Sequence, residues 1–181
     1  RTVALDNSVP VPLYFDPRLP GQALPTGKDT YLFQEFPTKR PQNIEECAFY
    51  TIGQLAHLIR TRQVTSLELT TMYLERLKRH GPTLECVVTI TEELALKQAR
   101  RADKNIKAGR YLGPLHGIPY GAKDLLAVAG YKTTWGAMTH KDQVLDETAT
   151  VVQKLENAGA VLVAKLTLGA LAWGDVWYGG K

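Results

Sequence analysis

Short apolar runs alternate with longer amphipathic segments from Glu85 onward, and this alternation constrains the fold more than any other feature of the chain. "ECVVTIT" (Glu85 to Thr91) is short and β-branched and reads as a strand. "EELALKQARRADKNIKAGR" follows as a helix ending near Gly109, with its basic face in water. "GIPYGAKD" reads as a strand between glycine-rich turns, "ETATVVQKLENAG" as a helix closed by Gly159, and "AVLVAKL" (Ala160 to Leu166) as a buried strand. Strands separated by helices of this length imply βαβ units. The expected class is α/β, with a mostly parallel sheet covered on both faces by helices.

Upstream, two helices announce themselves by capping boxes, Thr51 with Gln54 and Thr65 with Glu68. Ile52, Leu55 and Ile59 share one face of the first; Leu67, Thr70, Leu74 and Leu77 follow helical spacing in the second. Glu75 and Arg79 are placed for an i,i+4 ion pair. Gly81 and Pro82 should stop the second helix. Seven of the ten prolines fall before residue 51. Residues 1–50 therefore read as an extended proline-rich arm, with at most a helical turn near Asp29–Phe36, and 51–181 as the folded domain.

Composition removes several function classes. Apolar residues make up 44% and charged residues 22%, the profile of a globular protein. The net charge of +4 is small and dispersed, which argues against nucleic acid as a partner. No apolar run is long enough for a membrane span. Cys47 and Cys86 have no metal-like or redox spacing, which favours a reducing, cytoplasmic setting. The chain opens on Arg1 without a signal-like apolar core, which suggests a trimmed N-terminus. His57, His80, His116 and His140 lack paired ligand spacing, so neither a metal nor an organic cofactor is expected. "DVWYGGK" only superficially resembles a phosphate loop, since Asp175 stands where the first glycine should.

The residue that asks for an explanation is Lys123, at the end of the apolar strand "GIPYGA". Ligand sites in α/β sheets lie at the carboxyl ends of strands, where Lys123 sits. A lysine that acts as a base must be neutral. An unperturbed one, titrating near ~10.4, is neutral in about one molecule in ~2,500 at pH 7. Making it neutral near pH 7 takes about 4.6 kcal/mol, which burial in an apolar strand end can supply. Lys123 is therefore expected to be shielded from solvent. A stem-packed, water-reaching lysine and a Schiff-base lysine fit the same residues.

"LGPLHGIPYGAKDLLAVAGYKTTWGA" (Leu112 to Ala137) resembles the lysine-bearing segment of the amidase signature family. "TIGQLAHLIRTRQVTSLELTTMYLERLKRHGPTLECVVTIT" is similar to that family's opening helices and first strand, and "DETATVVQKLENAGAVLVAKLTLGALAWG" to its next helix and strand. The resemblance implies an α/β/α fold with a mixed, largely parallel sheet flanked by helices, incomplete in this chain, and a hydrolase that cleaves carboxylic amide C–N bonds with a Ser–Ser–Lys triad, Lys123 standing at the position of the base. It also implies a small-molecule amide as substrate and the rest of the amidase domain as partner; a homo-oligomer is compatible with it. The family's serines lie in a downstream Gly/Ser-rich segment. This chain has only Ser8, in the arm, and Ser66, at a helix start where capping would explain it. The expectation is an amidase, represented here by its N-terminal portion and inactive by itself. The alternatives are an amidotransferase subunit that releases ammonia and a non-catalytic scaffold fragment. Leu168, Ala170 and Leu171 are apolar where family members often carry an Asn and an acidic-aromatic pair. Asp124 is expected to bind nearby backbone N–H groups, His116 to make structural hydrogen bonds, Thr133 and Thr134 to line a pocket, and Trp135 to pack in the core.

Overall fold

A computed structural model describes residues 19, 21–23, 26–27, 34 and 36–180. In the first stretch, Gln22 N donates to Leu19 O at 3.0 Å, and Leu19 N donates to Gln22 Oε1 at 3.2 Å, closing a turn. The helical turn expected near Asp29–Phe36 lies largely outside the described residues; Gln34 and Phe36 are not helical.

Thr51 and Thr65 start their helices as their side-chain chemistry requires. Gln54 N donates to Thr51 Oγ1 at 3.3 Å, while Thr51 N donates to Gln54 Oε1 at 2.9 Å. Glu68 N donates to Thr65 Oγ1 at 3.0 Å, and Thr65 N donates to Glu68 Oε2 at 2.9 Å. Each box satisfies two donors that a helix start leaves open, and a cap of this type contributes about 1 kcal/mol. Helix α1 spans Ile52–Arg60 and α2 spans Ser66–Leu84. A 3-10 helix, Ile44–Phe49, precedes them, where the sequence suggested only extended chain; Asn43 caps it by accepting from Glu45 N at 3.0 Å.

Two local expectations fail. Helix α2 continues through Pro82 to Leu84 and ends at Glu85, which adopts φ 48°. A proline in the last turn removes one donor where the nearby carbonyls are already losing helical partners, so the helix survives it. Arg79 does not turn to Glu75. Its guanidinium reaches Glu45 Oε1 at 2.6 Å, and Arg76 approaches the same carboxylate at 3.8 Å. The charge of Arg79, foremost through this hydrogen bond, lowers the Glu45 pKa.

Strands β1 (Val87–Ile90), β2 (Pro119–Lys123) and β3 (Val161–Leu166) form a sheet of order β1-β3-β2. Helix α3 (Glu92–Lys107) follows β1, and α4 (Thr150–Asn157) lies between β2 and β3. β2 runs parallel to β3, and β1 antiparallel to it. Val161 and Val163 pack with Leu74 of α2 and with Ala95 and Ala99 of α3; Leu162 packs with Ala122 and with Val152 of α4. Helices thus flank both faces of a mixed sheet, as expected for the α/β class. A third cluster joins Leu55, Leu58 and Ile59 of α1 to Leu69 and Met72 of α2, Cys47 and Ile118. Burial of such side chains stabilises by roughly 1.5–3 kcal/mol each.

The parallel pair contains one irregularity that matters for the site. Tyr120 pairs with Leu162, but Gly121 pairs with Ala164, so β3 carries an extra residue at Val163. A bulge of this kind reverses which side later residues face. Beyond it Ala122 pairs with Lys165 and Lys123 with Leu166. Lys165 therefore leaves the α2–α3 face and joins the side to which Ala122 points.

Gly159 holds the turn from α4 into β3 at φ +84°; a Cβ there would lie 2.4 Å from His116 Cδ2. Gly159→Ala is expected to lower unfolding free energy by about 2–4 kcal/mol, combining left-handed strain with overpacking. Urea titration checks this; a loss under ~0.5 kcal/mol would contradict the packing described.

Candidate active site

Lys123 is the last residue of β2, and Asp124 follows it. Successive side chains leave a strand on opposite faces, so these two charges diverge. Asp124 turns inward and is 0% exposed. Lys123 turns to the other side and is exposed among the described residues, so the shielding expected of the amine is not supplied by this chain's own elements. The described residues leave that side open: Lys123 lines a cavity of about 290 Å³ with Leu84, Glu85, Thr167, Leu168, Asp175 and Trp177. Gly121 faces the same side, and its missing side chain makes room for Leu166, whose Cδ1 would be 2.5 Å from a Cβ there.

The shielded lysine is Lys165, which the sequence pattern does not single out. It is 0% exposed, and its ammonium donates to Asp124 Oδ1 at 2.7 Å, to Lys132 O at 2.8 Å and to Thr133 Oγ1 at 3.2 Å. An ammonium has three donors, so all are used. The other carboxylate oxygen, Asp124 Oδ2, accepts from Thr134 N at 2.7 Å and from Thr134 Oγ1 at 2.5 Å. Asp124 N donates to Leu166 O at 2.7 Å. Asp124 does take a backbone N–H, as expected, but its main partner is a buried cation. Removing one member of a buried pair typically costs about 3–5 kcal/mol, because the other charge is left stranded.

Thr133 and Thr134 are therefore part of this buried network, both 0% exposed, rather than lining the cavity beside Lys123. Trp135 is not in the core. It is half-buried with φ 51°, and its ring lies 4.8 Å from that of His140. Ser66 does not cap α2, since Thr65 does. Its hydroxyl instead donates to Gly117 O at 2.8 Å, fully buried, tying α2 to the turn before β2. Ser8 lies outside the described residues. Leu168 is buried while Leu171 and Trp173 are exposed, at 65% and 86%. Among the described residues no group of three metal-ligating side chains occurs, and no helix is long and apolar enough to cross a membrane.

His116 lies at the opposite end of β2 from Lys123. It is buried, and its Nδ1 accepts from Leu112 N at 3.0 Å, the structural role expected of it. It borders a second cavity of about 340 Å³ with Arg101, Arg110 and Glu156. That cavity is larger, but it sits at the amino ends of the strands. In parallel α/β sheets the carboxyl ends carry the chemistry, and the Lys123 cavity is at that end.

A parallel strand pair that presents a lysine at its carboxyl edge, over an open cavity and beside a fully bonded polar core, defines a protein of the α/β class with a cleft at the strand ends. The particular family follows from comparison with known proteins: the chain belongs to the Amidase family, whose model matches residues 68–175. It is 41% identical over 125 residues to a subunit of the glutamyl-tRNA(Gln) amidotransferase from Azoarcus sp., an alignment covering 69% of this chain and 26% of that protein. It is 40% identical over 130 residues to a putative amidase, AmiD, from Mycobacterium tuberculosis, covering 71% and 27%. The native peptide amidase from Stenotrophomonas maltophilia superposes with a TM-score of 0.64 at 33% identity, covering 70% of this chain and 26% of that one. The chain thus spans about a quarter of the length of these relatives.

Burial, foremost, and the charge of Arg110 lower the pKa of His116. A histidine harder to protonate when folded binds fewer protons than in the unfolded chain, so stability falls as pH drops below its unfolded value of ~6.5. The expected slope is up to about 1.4 kcal/mol per pH unit. His116→Asn should flatten it in urea titrations run on both sides of that pH, and an unchanged slope would contradict the assignment.

Proposed function

We propose that this chain supplies the lysine base of an amidase that hydrolyses carboxylic amide C–N bonds. The observation that carries the reading is Lys123 at the carboxyl end of β2, facing an open cavity, in a chain of the Amidase family. In the proposed mechanism the base takes a proton from one serine hydroxyl, which relays it from a second. The second serine's oxygen then attacks the amide carbon. The C–N bond breaks as the amine leaves with a proton, and water later releases the acid and restores the serine. A hydroxyl is a poor nucleophile until such a base acts on it. Both serines would come from the remainder of the domain, which would also cover the Lys123 cavity. Exclusion of water there would favour the neutral amine that base chemistry needs.

A second reading has an observation of its own. The likeness to a glutamyl-tRNA(Gln) amidotransferase component supports an amidotransferase role, in which the same chemistry would release ammonia for a partner. Ammonia release from an amidated dipeptide by the full-length protein alone favours the first reading. Release from glutamine only with a co-purifying partner favours the second.

In the full-length protein, Lys123→Ala should lower the rate of serine labelling by a fluorophosphonate by at least ~10³-fold, with circular dichroism unchanged. Labelling near the parental rate would refute the base assignment. The 181-residue chain alone should not be labelled, since neither Ser8 nor Ser66 belongs to a Gly-Ser motif, and the buried Ser66 hydroxyl donates to Gly117 O. Stoichiometric labelling of that chain would show that it carries a nucleophile after all.

A further inference from the structure

We infer that Asp124 and Lys165 are positioning residues for Lys123: a buried, charge-compensated clamp that fixes the end of β2 and cancels the carboxylate beside the proposed base. The inference rests on the role proposed for Lys123 but concerns different residues.

Lys123 is held from both sides. Before it, β2 is paired to β3, with Lys123 opposite Leu166. After it, Asp124 is pinned by its own N–H to Leu166 O, by Lys165 and by two bonds from Thr134. The bulge at Val163 places Lys165 on the side where Asp124 lies, so one lysine of β3 is spent on holding the residue next to the other lysine. Few soft torsions then remain between the sheet and the Lys123 amine beyond its own side chain.

The charges point the same way. A lone carboxylate adjacent in sequence would hold the Lys123 ammonium protonated and oppose its use as a base. Lys165, at 2.7 Å from Asp124, cancels that field. The other charged groups bordering Lys123 are Glu85, at the end of α2, and Asp175, after β3. The exposed Lys132–Asp142 pair belongs to the loop whose Lys132 carbonyl receives Lys165. Glu85 and Asp175 are themselves acidic, and the Lys132 ammonium pairs with Asp142, so the cation that compensates Asp124 is Lys165.

The test is the pH dependence of fluorophosphonate labelling of the full-length protein. In labelling, the serine Oγ–P bond forms, fluoride leaves, and the serine proton passes to the base, so the acid limb of the rate profile follows the base. Lys165→Met should move that limb up by about one pH unit, because Asp124 becomes uncompensated. Asp124→Asn should move it down by a similar amount, because Lys165 then acts alone. The double variant Asp124→Asn/Lys165→Met should return the limb to the parental position while the rate stays at least ~5-fold low, the lost clamp being uncorrected. Acid limbs that coincide with the parent's in both single variants overturn the inference. If Lys123→Ala is unreactive in the same series, the base assignment survives that failure; if Lys123→Ala labels normally, the base assignment itself has failed. Where the single variants do not fold, Thr134→Val decides, since it removes one donor from Asp124 and leaves every charge in place. A labelling rate at least ~5-fold lower, measured without denaturant where circular dichroism shows the variant folded, supports the clamp, and a parental rate overturns it.

Discussion

The ion pair between Lys165 and Asp124 is the constraint on which this end of the molecule depends. Two opposite charges without solvent exposure are tolerable only when every donor and acceptor is occupied. Here they are: three acceptors surround the ammonium and three donors surround the carboxylate. The network joins the end of β2, the end of β3 and the loop 132–134. These three segments are distant in sequence and must meet at one point. A polar core of this kind gives little net stability against an apolar substitute, but it strongly penalises any arrangement that leaves one member unpaired.

That penalty explains why the strand pair can carry an irregularity. The extra residue at Val163 interrupts the alternation of β3. Without it Lys165 would face α2 and α3, where Leu74, Ala95 and Ala99 offer no acceptor side chain. With it, the lysine meets Asp124. The apolar half of β3 fills the space between helices, and its last turn of alternation serves the polar core. Lys123 is left on the other side, exposed to a cavity bordered by Thr167 and acidic residues.

Much of this was legible in the sequence, for local reasons. The two capping boxes are short-range chemistry, and both formed. The strands at 87–90, 119–123 and 161–166 fall inside the runs read from their apolar and β-branched residues. What failed was long-range. Arg79 had two carboxylates within reach, and only the fold brings Glu45 to it. Pro82 signals a helix end, yet the helix was already in its last turn. The most instructive case is Lys165. A single lysine in "AVLVAKL" is as odd as one in "GIPYGAK", and the same question applied to both would have found it. Its partner could not be read, because pairing with Asp124 requires a bulge that leaves no mark in the local sequence. The family resemblance pointed to the one lysine with proposed chemistry and was silent about the one that holds the structure.

Two lysines are thus divided by what surrounds them: one enclosed and fully bonded, the other open at a strand end. The most direct test is a brief reductive methylation of the native protein, read residue by residue by mass spectrometry. Lys165 should remain unmodified until the protein is unfolded, while Lys97, exposed on α3, reacts at once. Modification of Lys165 in the folded protein as fast as that of Lys97 would contradict the buried pair and everything built on it.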